Sequence, residues 1–237
     1  MALSPLMKQY LEIKQEHPEC ILMCRIGDFY EMFFEDAKSA SRELDLVLTG
    51  KDCGLEERAP MCGVPHHAVE QYIAKLVSRG YRVAICEQLE DPATAKGLVK
   101  RDVVRIITPG TVTEGGYLDE KSNNYISAAY CDEFGCGIAF ADISTGSISA
   151  TEILGENLSM RVLSEAAAYL PSELICLPEF PKEISDLFNS RFNTLVSNAE
   201  YGDFAIQASI DVIKEIYNDS PATTSDYSVR AVGGLHN

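Results

Sequence analysis

Between Cys20 and Phe34 the chain changes character too abruptly for one regular element to absorb. Cys20–Ile26 is mostly apolar, Gly27-Asp28 interrupts it, and Phe29, Tyr30, Phe33 and Phe34 follow with Glu31 among them. A short apolar run bounded by a turn signal reads as a buried strand. Glycine tolerates backbone angles closed to other residues and aspartate can hydrogen-bond nearby backbone, so a sharp change of direction is expected at Gly27-Asp28. Two continuations are open. If the chain is extended from Phe29 to Glu31, those two side chains share a face and Tyr30 points into the protein. If it is already helical, Phe29 faces Phe33, Tyr30 faces Phe34, and Phe29 and Glu31 diverge. The first arrangement makes a probe and the second a core stripe. Composition alone favours the stripe, because a phenylalanine is usually inside.

The surrounding pattern is α/β. Ser4 caps a first helix with Pro5 at its first position, and Leu6, Met7, Tyr10, Leu11 and Lys14 follow the helical period until His17-Pro18 ends it. A helix is expected from about Met32 to Leu44, a strand over Leu46–Thr49 and a polar loop over Gly50–Met61. Pro65 opens a helix with Val69, Tyr72, Ile73, Leu76 and Val77 inward, stopped by Gly80. Tyr81–Cys86 and Val103–Thr108 read as strands, and strand-helix alternation of this kind makes a first α/β domain. Pro109-Gly110 and the run Thr111–Asn124 form the best boundary, since little in them can be buried. The domains are therefore taken as 1–116 and 117–237.

The second half changes style. Tyr125–Cys131, Gly137–Ser144 and Ser147–Ile153 are short apolar runs separated by turns, reading as an antiparallel meander. Helix Leu158–Tyr169, strand Leu174–Leu177, helix Pro181–Phe188, strand Thr194–Val196 and helix Phe204–Tyr217 follow. A meander followed by strand-helix alternation suggests a ribonuclease H-like α/β domain. The end, V-R-A-V-G-G-L-H-N, looks unfinished, as if a last helix stops after barely two turns. Truncation would explain it, and the function would then belong to something larger.

Charge narrows the function. The net charge of -16 argues against indiscriminate adhesion to nucleic acid. The imbalance is uneven: residues 1–116 carry 14 basic and 18 acidic side chains, whereas 117–237 carry 6 and 18. Any nucleic-acid contact belongs in the first half, with most phosphate neutralisation supplied elsewhere. Basic residues concentrate between 75 and 105, where Lys75, Arg79, Arg82, Lys96, Lys100, Arg101 and Arg105 face only Glu87, Glu90, Asp91 and Asp102. This is either an ordinary charged surface or a phosphate-facing edge that sets register without reading sequence.

Other chemistry is weakly signalled. The eight cysteines form no C-x-x-C pair, and several lie in apolar runs as small buried hydrophobes, so neither a disulfide framework nor a zinc site is expected. Cys62, His66 and His67 lack a second ligand pair and read as structural residues at a helix start. Asp142 could be a nuclease carboxylate, yet metal-dependent cleavage needs several carboxylates converging, and strands 174–177 and 194–196 offer nothing beyond the adjacent Glu173. There is no phosphate-binding G-x-x-x-x-G-K-S/T loop and no G-x-S-x-G elbow. No signal peptide and no apolar span of about 18 residues occurs, so the reading is a soluble, reducing, cytoplasmic protein with no membrane contact.

Four motifs in order, R-I-G-D-F-Y-E-M-F at 25–33, P-M-C-G-V-P-H-H-A at 60–68, G-Y-R-V-A-I-C-E-Q at 80–88 and V-V-R-I-I-T-P-G-T at 103–111, resemble the amino-terminal part of the bacterial MutS family of DNA mismatch repair proteins. The resemblance runs along residues 1–116 and continues more loosely through F-A-D-I-S-T-G at 140–146. It implies a mixed-sheet mismatch-recognition domain followed by a ribonuclease H-like connector domain that is not a nuclease. It further implies no cofactor and no catalysis in this segment, and an ATPase using ATP and Mg in the full-length protein. The implied partners are double-stranded DNA with mismatches or small unpaired loops, MutL, and a second copy in a homodimer. The family's Phe-x-Glu motif falls on Phe29 and Glu31, which turns the preference from core stripe to probe. Phe29 would enter the minor groove and stack on a mispaired or unpaired base. Glu31 would accept a hydrogen bond from that base, or take up a proton in anionic, low-dielectric surroundings, and would otherwise repel phosphates. Met32 widens the wedge or joins the core. Arg105 is the first choice for a DNA backbone contact, with Lys75, Arg79, Lys96, Lys100 and Arg101 behind it.

Overall fold

A computed structural model of the chain describes residues 3–90, 97–111, 124–217 and 225–236. The chain divides into two compact units, Met1–Pro109 and Gly110–Asn237, so the division falls at Pro109-Gly110, while the expected boundary at 116/117 lies outside the described residues.

In the first unit Ser4 caps α1 (Pro5–Glu16), its hydroxyl accepting from the Met7 amide at 3.4 Å. β1 (Cys20–Ile26) and β2 (Phe29–Phe33) form an antiparallel hairpin with Ile26 opposite Phe29. Gly27 turns it at a φ of +59°, an angle glycine reaches without steric cost. Helix α2 (Phe34–Leu44) starts later than the expected Met32, because β2 is bonded on one side to β1 and on the other to β4 (Ala59–Pro65). Two ladders outweigh the helical period of the sequence. The polar stretch that reads as a loop also contributes β3 (Thr49–Lys51), displaced from the expected Leu46–Thr49. Pro60, Gly63 and Pro65 hide β4 from a propensity reading, yet tertiary pairing recruits it.

After α3 (Val69–Val77), β5 (Arg82–Gln88) and β6 (Arg101–Ile107) complete a sheet ordered β3-β4-β2-β1-β5-β6, in which only β1 and β5 are parallel. Burial of every residue from Cys20 to Cys24 requires cover on both faces. On one face α1 packs Met7, Tyr10 and Ile13 with Leu22, Cys24, Phe33 and Cys86. The other is covered by α2 and α3 through buried residues including Ala40, Leu44, Ile73 and Leu76. Beyond the end of β2, Asp36 takes over its role beside β1. Asp36 Oδ2 accepts the Leu22 amide at 3.0 Å and the Tyr10 hydroxyl at 3.2 Å, and Oδ1 pairs with Lys14 at 3.0 Å. The Tyr10 oxygen in turn accepts the Phe33 amide at 3.2 Å, tying α1 to the end of β2.

The second unit is a meander of β7 (Tyr125–Cys131), β8 (Gly135–Asp142) and β9 (Ser147–Leu154), followed by α4 (Leu158–Tyr169), β10 (Glu173–Cys176), α5 (Lys182–Phe192), β11 (Leu195–Asn198), α6 (Ile206–Tyr217) and α7 (Asp226–Gly233). The strand order is β11-β10-β7-β8-β9, with β10 parallel to both β7 and β11. Helices α4 and α5 pack Val162, Leu163, Ile184 and Phe188 with Phe140. Ala231 and Val232 of α7 pack with Ala139, so the segment that looks unfinished is part of this unit's core. The expected helix from Phe204 is divided: Tyr201–Phe204 forms a 3-10 turn and α6 begins at Ile206.

Gly137 on β8 lets α7 approach, since a Cβ there would lie 2.0 Å from the Tyr227 carbonyl oxygen. Gly137→Ala is expected to destabilise this unit by about 1–3 kcal/mol through displacement of α7. Thermal unfolding checks it, and an unchanged midpoint would contradict so close an approach.

The cysteines depart from expectation at one point. Cys131 and Cys136, directly opposite on β7 and β8, form a disulfide, a pairing made by the hairpin register rather than by any C-x-x-C spacing. The other six are free and buried. Among the described residues no helix is long and apolar enough to cross a membrane.

Candidate nucleic-acid interface

The hairpin adopts the extended alternative. Phe29 is 47% exposed whereas Tyr30 is 6% exposed, and Glu31 is half-buried. In an extended strand this alternation puts Phe29 and Glu31 on one face. Phe29 stands between Ile26 and Pro65, and Glu31 between Cys24 and Gly63, so strands support the pair from both sides. The His66 amide donates to the Asp28 carbonyl at 2.9 Å, fastening the hairpin turn to the end of β4.

Behind the exposed pair, Tyr30 is an anchor. Its hydroxyl donates to Glu87 Oε1, and the Arg25 guanidinium lies 5.6 Å from its ring centre. Burial, reinforced by the Glu87 carboxylate, pushes that hydroxyl up to about 12, so it remains a donor at neutral pH. Met32 is wholly buried, which settles its alternatives in favour of core.

Glu31 has a partner that the sequence reading misses. Lys51 of β3 pairs with Glu31 Oε2, and the same ammonium lies 5.6 Å from the centre of the Phe33 ring. The register explains the reach: Lys51 lies opposite Ala59, Met61 opposite Phe33, and Gly63 opposite Glu31, so all share one face across β3, β4 and β2. A Cβ at position 63 would lie 3.2 Å from the Tyr30 carbonyl oxygen and 3.4 Å, an ordinary contact, from Glu31 Cγ. No local signal links positions 31 and 51, which meet only through two strand pairings.

The basic residues singled out from the sequence do not converge on Phe29. Arg105 is exposed on edge strand β6, opposite Ile85. Glu31, Cys24 and Cys86 are register partners, so the neighbouring Ile85 and its partner Arg105 belong to the other face. Lys75 is exposed on α3, which packs on that same other face. Arg79 is engaged with Glu43, both at its carbonyl and at Oε2, 2.8 Å away, and this pairing holds the Glu43 carboxyl below the usual range. Lys100 is exposed, and Lys96 lies outside the described residues. Arg101 is 7% exposed, with its guanidinium donating to the Arg25 carbonyl at 2.8 Å, the Val99 carbonyl at 2.9 Å and Gln9 Oε1 at 3.2 Å. It is a structural clamp on β1 rather than a surface cation.

The weaker metal and nuclease candidates are placed differently. Asp142 Oδ1 accepts the Ser144 hydroxyl at 2.6 Å and amide at 2.9 Å at the β8–β9 turn, and these bonds hold its carboxyl below the usual range. Glu173 lies within β10, buried, and accepts the Ser197 hydroxyl. Cys62 is buried with its sulfur donating to the Ala37 carbonyl, while His66 and His67 are exposed. Among the described residues no group of three or more His, Cys, Asp or Glu side chains could hold a metal ion.

A half-exposed aromatic and a paired carboxylate thus share one face of a strand braced from two sides, within a mixed α/β fold. Its lineage is equally definite. Residues 4–116 match the family described as MutS domain I. The chain is 51% identical over 236 residues, 98% of its length, to the DNA mismatch repair protein MutS of Ruminiclostridium cellulolyticum, of which it covers 27%. It is 52% identical over 220 residues to the MutS of Acetivibrio thermocellus, covering 92% of this chain and 25% of that protein. For Clostridium novyi MutS the identity is 45% over 239 residues, covering 100% and 26%. The chain belongs to the MutS family, and it spans about a quarter of the length of the curated relatives it matches.

Proposed function

We propose that this chain supplies the mismatch-recognition and connector domains of a mismatch repair protein, with Phe29 and Glu31 as its DNA probe. The observation that carries the reading is the exposed Phe29 on a braced strand with Glu31 on the same face. Phe29 enters the minor groove and stacks on a mispaired or unpaired base. Opening a base step costs least where pairing is already faulty, so the same stacking return yields net binding at a mismatch and little at a matched pair. Discrimination thus comes from deformability more than from base-edge readout. Glu31 accepts a hydrogen bond from the displaced base and repels the backbone where no such bond is offered.

Exposed Arg105, Lys75 and Lys100 are the remaining described candidates for backbone contact, Arg101 and Arg79 being committed within the fold. The second unit is the connector: its order β11-β10-β7-β8-β9, an antiparallel meander extended by two parallel strands, supports the ribonuclease H-like reading. Its acidic surface suits contacts with MutL and neighbouring domains rather than DNA. This segment is not itself an enzyme in this reading. The full-length protein is a cytoplasmic, homodimeric ATPase that uses ATP and Mg through a domain outside this chain.

Glu31→Gln tests the division of labour. It should strengthen binding to matched duplex by roughly fivefold, and to mismatched duplex by less, because the repulsion it removes is already relieved at a mismatch. Competition binding of the full-length protein to otherwise identical duplexes is the measurement. Equal loss on both duplexes would refute the assigned role.

A further inference from the structure

We propose that Lys51 is a positioning residue for mismatch discrimination, one that sets how strongly Glu31 penalises matched DNA. The inference rests on the Phe-x-Glu reading and deepens it. A carboxylate facing a polyanion repels it in proportion to its uncompensated charge, and Glu31 is not uncompensated. Lys51 meets Oε2 directly, while the Glu31 and Lys51 side chains are only 15% and 29% exposed. Two features make this a built contact rather than a chance surface pair. The lysine comes from a strand two ladders away, on the same face of the sheet. Its ammonium is also held near the Phe33 ring, itself in the core.

The consequence is a tuned penalty. With Lys51 in place, the probe face presents a neutral pair to a matched duplex, and the repulsion is modest. Without it, Glu31 becomes a bare carboxylate. Phosphates on matched DNA then meet the full charge, whereas a displaced base at a mismatch still offers a hydrogen-bond donor that offsets it. Lys51 therefore trades selectivity for affinity, acting through Glu31 rather than on the DNA.

A double-mutant cycle in the full-length protein decides it, using competition binding to matched and mismatched duplexes. Lys51→Met keeps an unbranched side chain at this position and removes the charge. It should weaken matched binding about fivefold more than mismatched binding, raising the mismatch preference by that factor. In a Glu31→Gln background the same change should alter both duplexes equally. Lys51→Arg, which keeps a cation beside Glu31, should retain the wild-type preference. Thermal unfolding of each variant confirms that folded proteins are compared. Equal loss on both duplexes in both backgrounds would make Lys51 a plain phosphate contact and overturn the inference, as would no change in either. If Phe29→Ala and Glu31→Gln leave the preference untouched, the probe reading itself fails. If they abolish it while the cycle shows no coupling, only the role of Lys51 falls.

Discussion

Phe29→Ala should abolish the preference for mismatched over matched duplex, a loss of about 5- to 150-fold, while the protein stays folded. The magnitude follows from base–aromatic stacking, worth roughly 1–3 kcal/mol per base. Selectivity suffers because the stacking return is realised only where the base step opens cheaply; matched binding depends on the backbone and should change little. Stability should be nearly unaffected, since Phe29 is 47% exposed and the strand is held by its neighbours' hydrogen bonds. Competition binding with a thermal-unfolding control is the measurement. A surviving preference would move recognition away from this strand altogether.

Asp36→Ala should have the largest effect on stability, about 3–5 kcal/mol in the first unit, because it removes one partner of a largely buried ion pair. The loss would also leave the Leu22 amide without its acceptor and the Tyr10 hydroxyl with only the Leu22 carbonyl, 3.5 Å away. Tyr10 is bonded to the Phe33 amide, so loosening it frees the inner end of the strand whose outer end carries Phe29. Chemical denaturation of the variant should show a lowered midpoint, and Asp36→Asn, which keeps one acceptor oxygen, should fall between. A change below about 1 kcal/mol for the alanine variant would mean that these groups find water or other partners instead.

Much of the fold is legible in the chain because it depends on local chemistry. Ser4-Pro5 starts a helix, Gly80 follows one, and Leu158–Tyr169 is helical over its expected span. Apolar runs separated by turn residues mark the meander of the second unit, because a period of two and a turn are both short-range signals. What stays hidden is whatever depends on a distant partner. β4, with two prolines and a glycine, has no strand signature of its own and exists because β2 and β3 offer it hydrogen bonds. The disulfide between Cys131 and Cys136 likewise follows from hairpin register.

The candidate site divides the same way. Phe29 and Glu31 can be picked out by the turn at Gly27-Asp28 and by resemblance, but not their geometry, since a strand and a helix were both compatible with the same residues. Pairing of β2 with β1 and β4 decided between them by fixing the strand period through Phe33, exposing Phe29 and burying Tyr30. The charges show the limit most clearly. Sequence alone marks Arg101 as surface cation and Lys51 as one polar residue in a loop. The tertiary structure buries Arg101 against backbone carbonyls and sets Lys51 on Glu31, because an ion's role is decided by the partner within a few ångströms and not by its neighbours along the chain.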